Sequence, residues 1–218
     1  RQVLWRITLD PQPEFPIMPP VFAAPSPDAC PAHVIASDQL DSWLSGQPQR
    51  VQTWVAAQGF DAACGQALTL PDADGGLAMV LLGYGSPAQR ARRRFVLAEA
   101  AQKLPAGSYQ ITSGLPQADA DTEALGWLLS TYRFDRYKES STRLATLVAP
   151  EGTDAAALES LAAAEWLTRD LINTPASDMG PQDLQDAAAA LADEFSAEFT
   201  TITGATLLAR NLPLIHTV

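Results

Sequence analysis

The chain predicts an α/β fold: a mixed-sheet α/β sandwich, then a long helix, then the start of a second α/β domain. Three observations carry this. Short apolar runs alternate with longer segments whose apolar residues recur at helical spacing. Pro71-Asp72-Ala73-Asp74-Gly75-Gly76 separates two of the apolar runs and is a dense turn signal, which makes those runs an antiparallel hairpin. A helical pattern from Thr153 or Asp154 to Asn173 stops before Pro175. At about 20 residues it spans about 30 Å, more than a small domain needs and suited to joining two.

Val3 to Leu9 alternates as a short strand. Asp10 to Pro31 holds prolines at 11, 13, 16, 19, 20, 25, 27 and 31, so no helix survives there; it reads as extended coil with an edge strand at Ile17 or Val21-Phe22. His33 to Ala36 is a second strand. Ser37-Asp38 offers a cap for a short helix through Leu44. Pro48 to Gln58 places Val51, Trp54 and Val55 at helical spacing and Gly59 ends it. The hairpin strands are Ala67 to Leu70 and Leu77 to Leu82; the second is apolar on both faces, as a central strand is. A helix is expected from Pro87 to Lys103, a strand at Tyr109 to Thr112, a helix from Asp121 to Tyr132 and a strand at Leu144 to Val148.

Leu158, Leu161, Leu167 and Leu171 mark the expected buried side of the long helix, which starts on a Thr-Asp cap. Pro181 to Phe195 is an amphipathic helix with Leu184, Ala187, Ala188, Leu191 and Phe195 on one stripe. Phe199 to Thr203 is expected as a strand, Ala205 to Asn211 as a short helix and Leu214 to Val218 as a strand entering a core. The domain plan is therefore 1–150, a linker helix over 151–175, and an incomplete second domain from 176 to 218. A buried strand at 214–218 needs neighbours, so the natural protein is expected to continue.

At 218 residues the chain can bury a core without metal or disulfide staples. No apolar run reaches the roughly 18 residues of a membrane span. The net charge of −11 argues against nucleic acid or an anionic membrane as partner and suits a cytoplasmic protein. Cys30 and Cys64 lack CxxC spacing and read as free thiols.

Gly83-Tyr84-Gly85-Ser86-Pro87-Ala88 lies between a strand and a helix and satisfies G-x-G-x-x-A, the context of a phosphate-cradling loop. Pro87 removes one amide and no acidic strand end follows about 20 residues on, so a tight glycine turn is the preferred reading. Arg90, Arg92, Arg93 and Arg94 cluster on the expected helix and should meet an acidic neighbour or another subunit. Asp119-Ala120-Asp121-Thr122-Glu123 lacks the glycine and distant glutamate of a calcium loop and reads as an acidic helix start. His33 and His216 belong to no metal-binding spacing, and His216 reads as a core histidine. From these residues alone no active site is built.

Two stretches resemble a known family. Leu171-Ile172-Asn173-Thr174-Pro175-Ala176-Ser177-Asp178-Met179-Gly180-Pro181 and Leu207-Leu208-Ala209-Arg210-Asn211-Leu212-Pro213-Leu214-Ile215-His216-Thr217-Val218 resemble leucyl aminopeptidases (cytosol aminopeptidases). Members commonly show N-T-P-A-N-D and then N-F-P-x-I-H-x-V-G; Ser177 and Leu212 are the departures. Tyr132-Arg133-Phe134-Asp135-Arg136-Tyr137-Lys138 is similar to a stretch late in the N-terminal domain of bacterial members. The resemblance implies a macro-domain-like N-terminal sandwich, a linking helix and a catalytic domain. That domain would hold two divalent metals, Zn or Mn, that activate a bridging water against the first peptide bond of substrates with a free N-terminus. It also implies a homo-hexamer. The family's metal-binding motifs fall after Val218, so the expected catalytic, metal and substrate residues within the chain are none, and the fragment alone should be inactive. The competing readings are a stand-alone macro-like ligand or nucleotide module using Gly83–Ser86, and a regulatory or assembly domain.

Overall fold

The computed structural model describes residues 20–138 and 144–217; the strand expected at Val3 to Leu9 and the position at Ile17 lie outside them. The chain divides into two compact units, Arg1–Leu167 and Thr168–Val218. The first is built on a five-stranded sheet: β1 (Cys30–Ala36), β2 (Ala67–Pro71), β3 (Leu77–Gly85), β4 (Gly107–Ser113) and β5 (Ala145–Leu147). The spatial order is β2-β3-β1-β4-β5. β2 and β3 are antiparallel, as the turn at residues 71–76 requires, and every other pair is parallel, so the sheet is mixed. Beyond β5 the proline-rich coil adds one parallel bridge, Ala23 to Val148, with the Ala23 amide 2.8 Å from the Leu147 carbonyl.

The pleat sends successive side chains to opposite faces, and helices cover both. Ala32, Val34, Val80, Leu82 and Tyr84 face α4 (Val96–Ala101), α5 (Gln117–Ser130) and the first half of α6 (Ala155–Asn173). Ile35 and Leu81, one residue along, face α1 (Leu40–Ser45) and α2 (Gln49–Ala57) with Val51, Val55, Phe60 and Leu70. This explains why β3 reads as apolar on both faces. Trp127 is fully buried on α5 and its indole donates to the Ala145 carbonyl at 3.0 Å. The Asp154 carboxylate caps α6 by accepting from the Ala157 amide, 3.1 Å.

Several expectations are corrected. Ser37 does not cap a helix; residues 37–39 form a 3₁₀ turn and the Ser37 hydroxyl donates to the Ala62 carbonyl. The helix expected over 87–103 is two short ones, α3 (Pro87–Arg90) and α4, because Phe95 sits in the left-handed region at φ 58. α5 starts at Gln117, ahead of Asp121. On α6, Leu158 and Ala162 are buried, whereas Leu161 is 57% exposed.

The second unit holds the last residues of α6, then α7 (Pro181–Glu194), α8 (Thr206–Ala209) and α9 (Pro213–His216). Residues 199–203 form no strand. The strand expected at 214–218 is instead the turn α9, and His216 is exposed rather than a core histidine. Pro213 presets the first turn, and the His216 and Thr217 amides bond back to Leu212 and Pro213. Among the described residues of this unit no strand is available to pair with it. Ile172, Leu184, Phe195, Leu208, Leu214 and Ile215 all remain exposed.

Candidate functional site

In an open parallel sheet, ligands enter the crevice where loops from adjacent strands leave in opposite directions. Here that point lies between β1, whose connection runs towards β3, and β4, whose connection runs towards β5; the end of β3, where Ala36 pairs with Gly85, lies to one side of it. Gly83-Tyr84-Gly85-Ser86 nonetheless joins a strand to a helix start, the local context of a phosphate loop. Its amides, however, are already committed. Gly83 N–H donates to the Gln66 carbonyl at 2.7 Å and Gly85 N–H to the Ala62 carbonyl at 2.8 Å. Ser86 N–H donates to the Gln89 side chain at 2.8 Å, within a capping box that starts α3. The Cys64 thiol donates to the Tyr84 carbonyl and packs against Gly85. Residues 62–66 thus cover the end of β3, and Gln66 locks them by accepting from the Asp61 and Ala63 amides. The tight-turn reading holds, and the phosphate-cradle reading has no free amides at Gly83, Gly85 or Ser86 to rest on.

Arg90 closes the same corner. Its guanidinium donates to the Gly85 carbonyl at 2.8 Å and lies 4.5 Å from the Tyr84 ring centroid. Arg93 meets the expected acidic neighbour, Glu99, at 3.2 Å, and Glu99 also faces Lys103. These pairs are half exposed and add little stability.

The acidic cluster is divided by burial. Asp121 is exposed, Asp119 accepts from the Tyr84 hydroxyl at 2.9 Å, and Glu123 is 4% exposed. Glu123 accepts from the Leu97 amide at 2.8 Å and so caps α4 from the neighbouring helix, a helix with no side-chain cap of its own. Burial pushes the Glu123 carboxyl up, against the Leu97 and Val96 amides that pull it down. Burial beside Glu123 and Asp119 pushes the Tyr84 phenol far up, so it stays a donor. This arrangement holds a corner in place; nothing in it is open to a substrate. His33 hydrogen-bonds Ser113 at 2.8 Å and packs against Trp43, and both cysteines are free thiols, as expected. The buried role of Glu123 was not visible in sequence, because its partners lie 26 and 39 residues away.

The fold is a three-layer α/β sandwich with a mixed sheet. The family model for the N-terminal domain of M17 aminopeptidases matches residues 30–150. The chain belongs to the M17 aminopeptidase family and carries its N-terminal domain. A "Probable cytosol aminopeptidase" of Gluconobacter oxydans (strain 621H) is 31% identical over 188 residues, covering 75% of this chain and 37% of that protein. The crystal structure of cytosol aminopeptidase from Coxiella burnetii is similar with a TM-score of 0.76 at 29% identity, over 86% of this chain and 40% of that one. The bottromycin maturation enzyme BotP in complex with Mn gives a TM-score of 0.61 at 25% identity, over 83% and 39%. The chain thus spans well under half the length of these relatives. The resemblance seen at Asn173-Thr174-Pro175 and at residues 132–138 is confirmed at the level of the family.

Proposed function

We propose that this chain is the N-terminal portion of a metal-dependent leucyl aminopeptidase that releases N-terminal amino acids from peptides. The observation that carries this is the family match over residues 30–150 joined to a relative named a cytosol aminopeptidase. In this reading residues 1–150 are the N-terminal domain, 151–175 the linker helix and 176–218 the first part of the catalytic domain. The exposed Leu184, Phe195, Leu214 and Ile215 support the last assignment, since apolar side chains in such number call for a cover.

The reaction would use two divalent metals, Zn or Mn, a reading supported by the Mn complex of BotP. The residues described here do not fit such a centre: no three His, Cys, Asp or Glu side chains among them lie together. In this reading the metal ligands and catalytic residues belong to the part of the enzyme that this chain does not span. Peptides with a free N-terminus are the substrates, a homo-hexamer the assembly and the cytoplasm the location. The location is supported by the relative's name and by two free thiols. Among the described residues no helix is long and apolar enough to cross a membrane.

The test compares the 218-residue chain with the product of the complete gene on leucine p-nitroanilide and leucine amide, each with Mn or Zn. The complete product should turn over and lose activity with a chelator; the 218-residue chain should give none. Metal-dependent turnover by the short chain, or an inactive complete product, would overturn the proposal.

A further inference from the structure

We propose that the cleft between α2 and the β2–β3 hairpin binds a free α-amino acid with an apolar side chain. The cleft holds about 170 Å³. Val51, Leu70 and Met79 form its floor, and Val51 and Leu70 are buried. Trp54 forms a wall, 39% exposed, with its indole fixed by a 3.1 Å bond from Nε1 to the Thr69 carbonyl.

The rim carries two opposite charges. Arg50 stands one turn before Trp54 on the same helix face. Asp72 opens the hairpin turn, and its Oδ1 accepts from the Asp74 and Gly76 amides at 2.8 and 2.7 Å. Those two bonds fix the carboxylate and leave Oδ2 without a hydrogen bond among the described residues. Arg50 and Asp72 do not neutralise each other: no ion pair joins them.

A guanidinium and a carboxylate oxygen over an apolar floor complement a zwitterion. Arg50 would take its carboxylate, Asp72 Oδ2 its ammonium, and the floor and indole its side chain. The cleft's volume of about 170 Å³ suits a side chain of leucine or methionine size. A fatty acid or a simple amine would leave one rim charge unused.

One such molecule is released per turnover in the reaction proposed above, but binding here rests on the cleft's own geometry. The two are tested separately, one by hydrolysis and the other by titration of the 218-residue chain, so either can fail alone. The experiment is calorimetric titration of that chain with L-leucine, alongside isocaproate, which lacks the amine, and isoamylamine, which lacks the carboxylate. L-Leucine should saturate with a dissociation constant of about 1 mM, as expected for so small a ligand in an open site. Each comparator should bind about fivefold more weakly, and so should L-leucine to Arg50→Gln or Asp72→Asn. Arg50 is exposed, and asparagine keeps the Oδ1 acceptor of the turn, so both variants should fold as the parent does by circular dichroism. Absence of saturable leucine binding, equal affinity for a comparator, or unchanged affinity in both variants would each overturn the proposal.

Discussion

Replacing Gly83 with alanine is expected to lower the stability of the sheet unit by about 3 kcal/mol. A methyl group on Gly83 would overlap the Ala63 carbonyl oxygen and sit 2.9 Å from the Ala62 carbonyl carbon. These are backbone atoms, and they cannot swing aside as a long side chain does. Gly83 is also bonded to residues 65 and 66 through both its N–H and its carbonyl, so moving away breaks the bonds that hold that segment on β3. Urea unfolding followed by circular dichroism measures the loss. An unfolding free energy within about 0.5 kcal/mol of the parent would show that residues 62–66 do not press on β3.

Glu123→Ala is the second large effect, about 2 kcal/mol. It leaves the Leu97 amide, on a fully buried residue, without its acceptor, and removes the cap that holds the start of α4. Glu123→Gln keeps an oxygen for Leu97 and removes the buried charge, so at pH 7 it should cost far less than alanine. The two variants also separate charge from hydrogen bonding as pH changes. The folded Glu123 carboxyl is raised above its ordinary 4.5, so the folded state holds that proton more tightly than the unfolded chain. Its contribution to stability is full below the unfolded value and is lost as pH rises through the folded one. Lowering pH from 8 to 4.5 should therefore stabilise the parent relative to Glu123→Gln. Parallel denaturation curves for the two proteins over that range would contradict the assignment.

The parts of this fold legible in the sequence are those whose signals are local. The turn at residues 71–76 contains its own turn residues, Asp72 and Gly75, and the hairpin results from it. Leu77 to Leu82 shows two apolar faces because helices cover both, and the strand is central. Pro175 stops α6 whatever surrounds it. The failures are non-local. Nothing in Arg92-Arg93-Arg94-Phe95 announces a break, since no glycine, proline or asparagine marks it. The left-handed Phe95 is accepted because its ring packs where Gly126, on α5, has no side chain, and because Glu123 caps the first turn of α4 directly after it.

The same division governs the site. Gly83-Tyr84-Gly85-Ser86 carries the local pattern of an anion loop; Gln89 takes the Ser86 amide locally, but the Gly83 and Gly85 amides are taken by a segment about 20 residues earlier. The 214–218 stretch has a strand's composition, but a strand exists only through a neighbour, and the local bonds after Pro213 win where none is described. The cleft beside Trp54 draws on α2, β2, the hairpin turn and β3, and no periodicity within any one of them indicates it.

The place of β1 in the sheet has a kinetic consequence. It is the first strand among the described residues and the middle one in space, between β3 and β4. Its partners begin at Leu77 and Gly107, so neither ladder closes until long stretches of intervening chain have been gathered in. Parallel pairing across such separations is slow, and a folding time of about milliseconds to seconds is expected, rather than microseconds. A chain emerging from the ribosome N-terminus first would leave β1 without β3 until residue 85 was free to pair, and without β4 until residue 113 was. That interval is when this sequence is most open to aggregation.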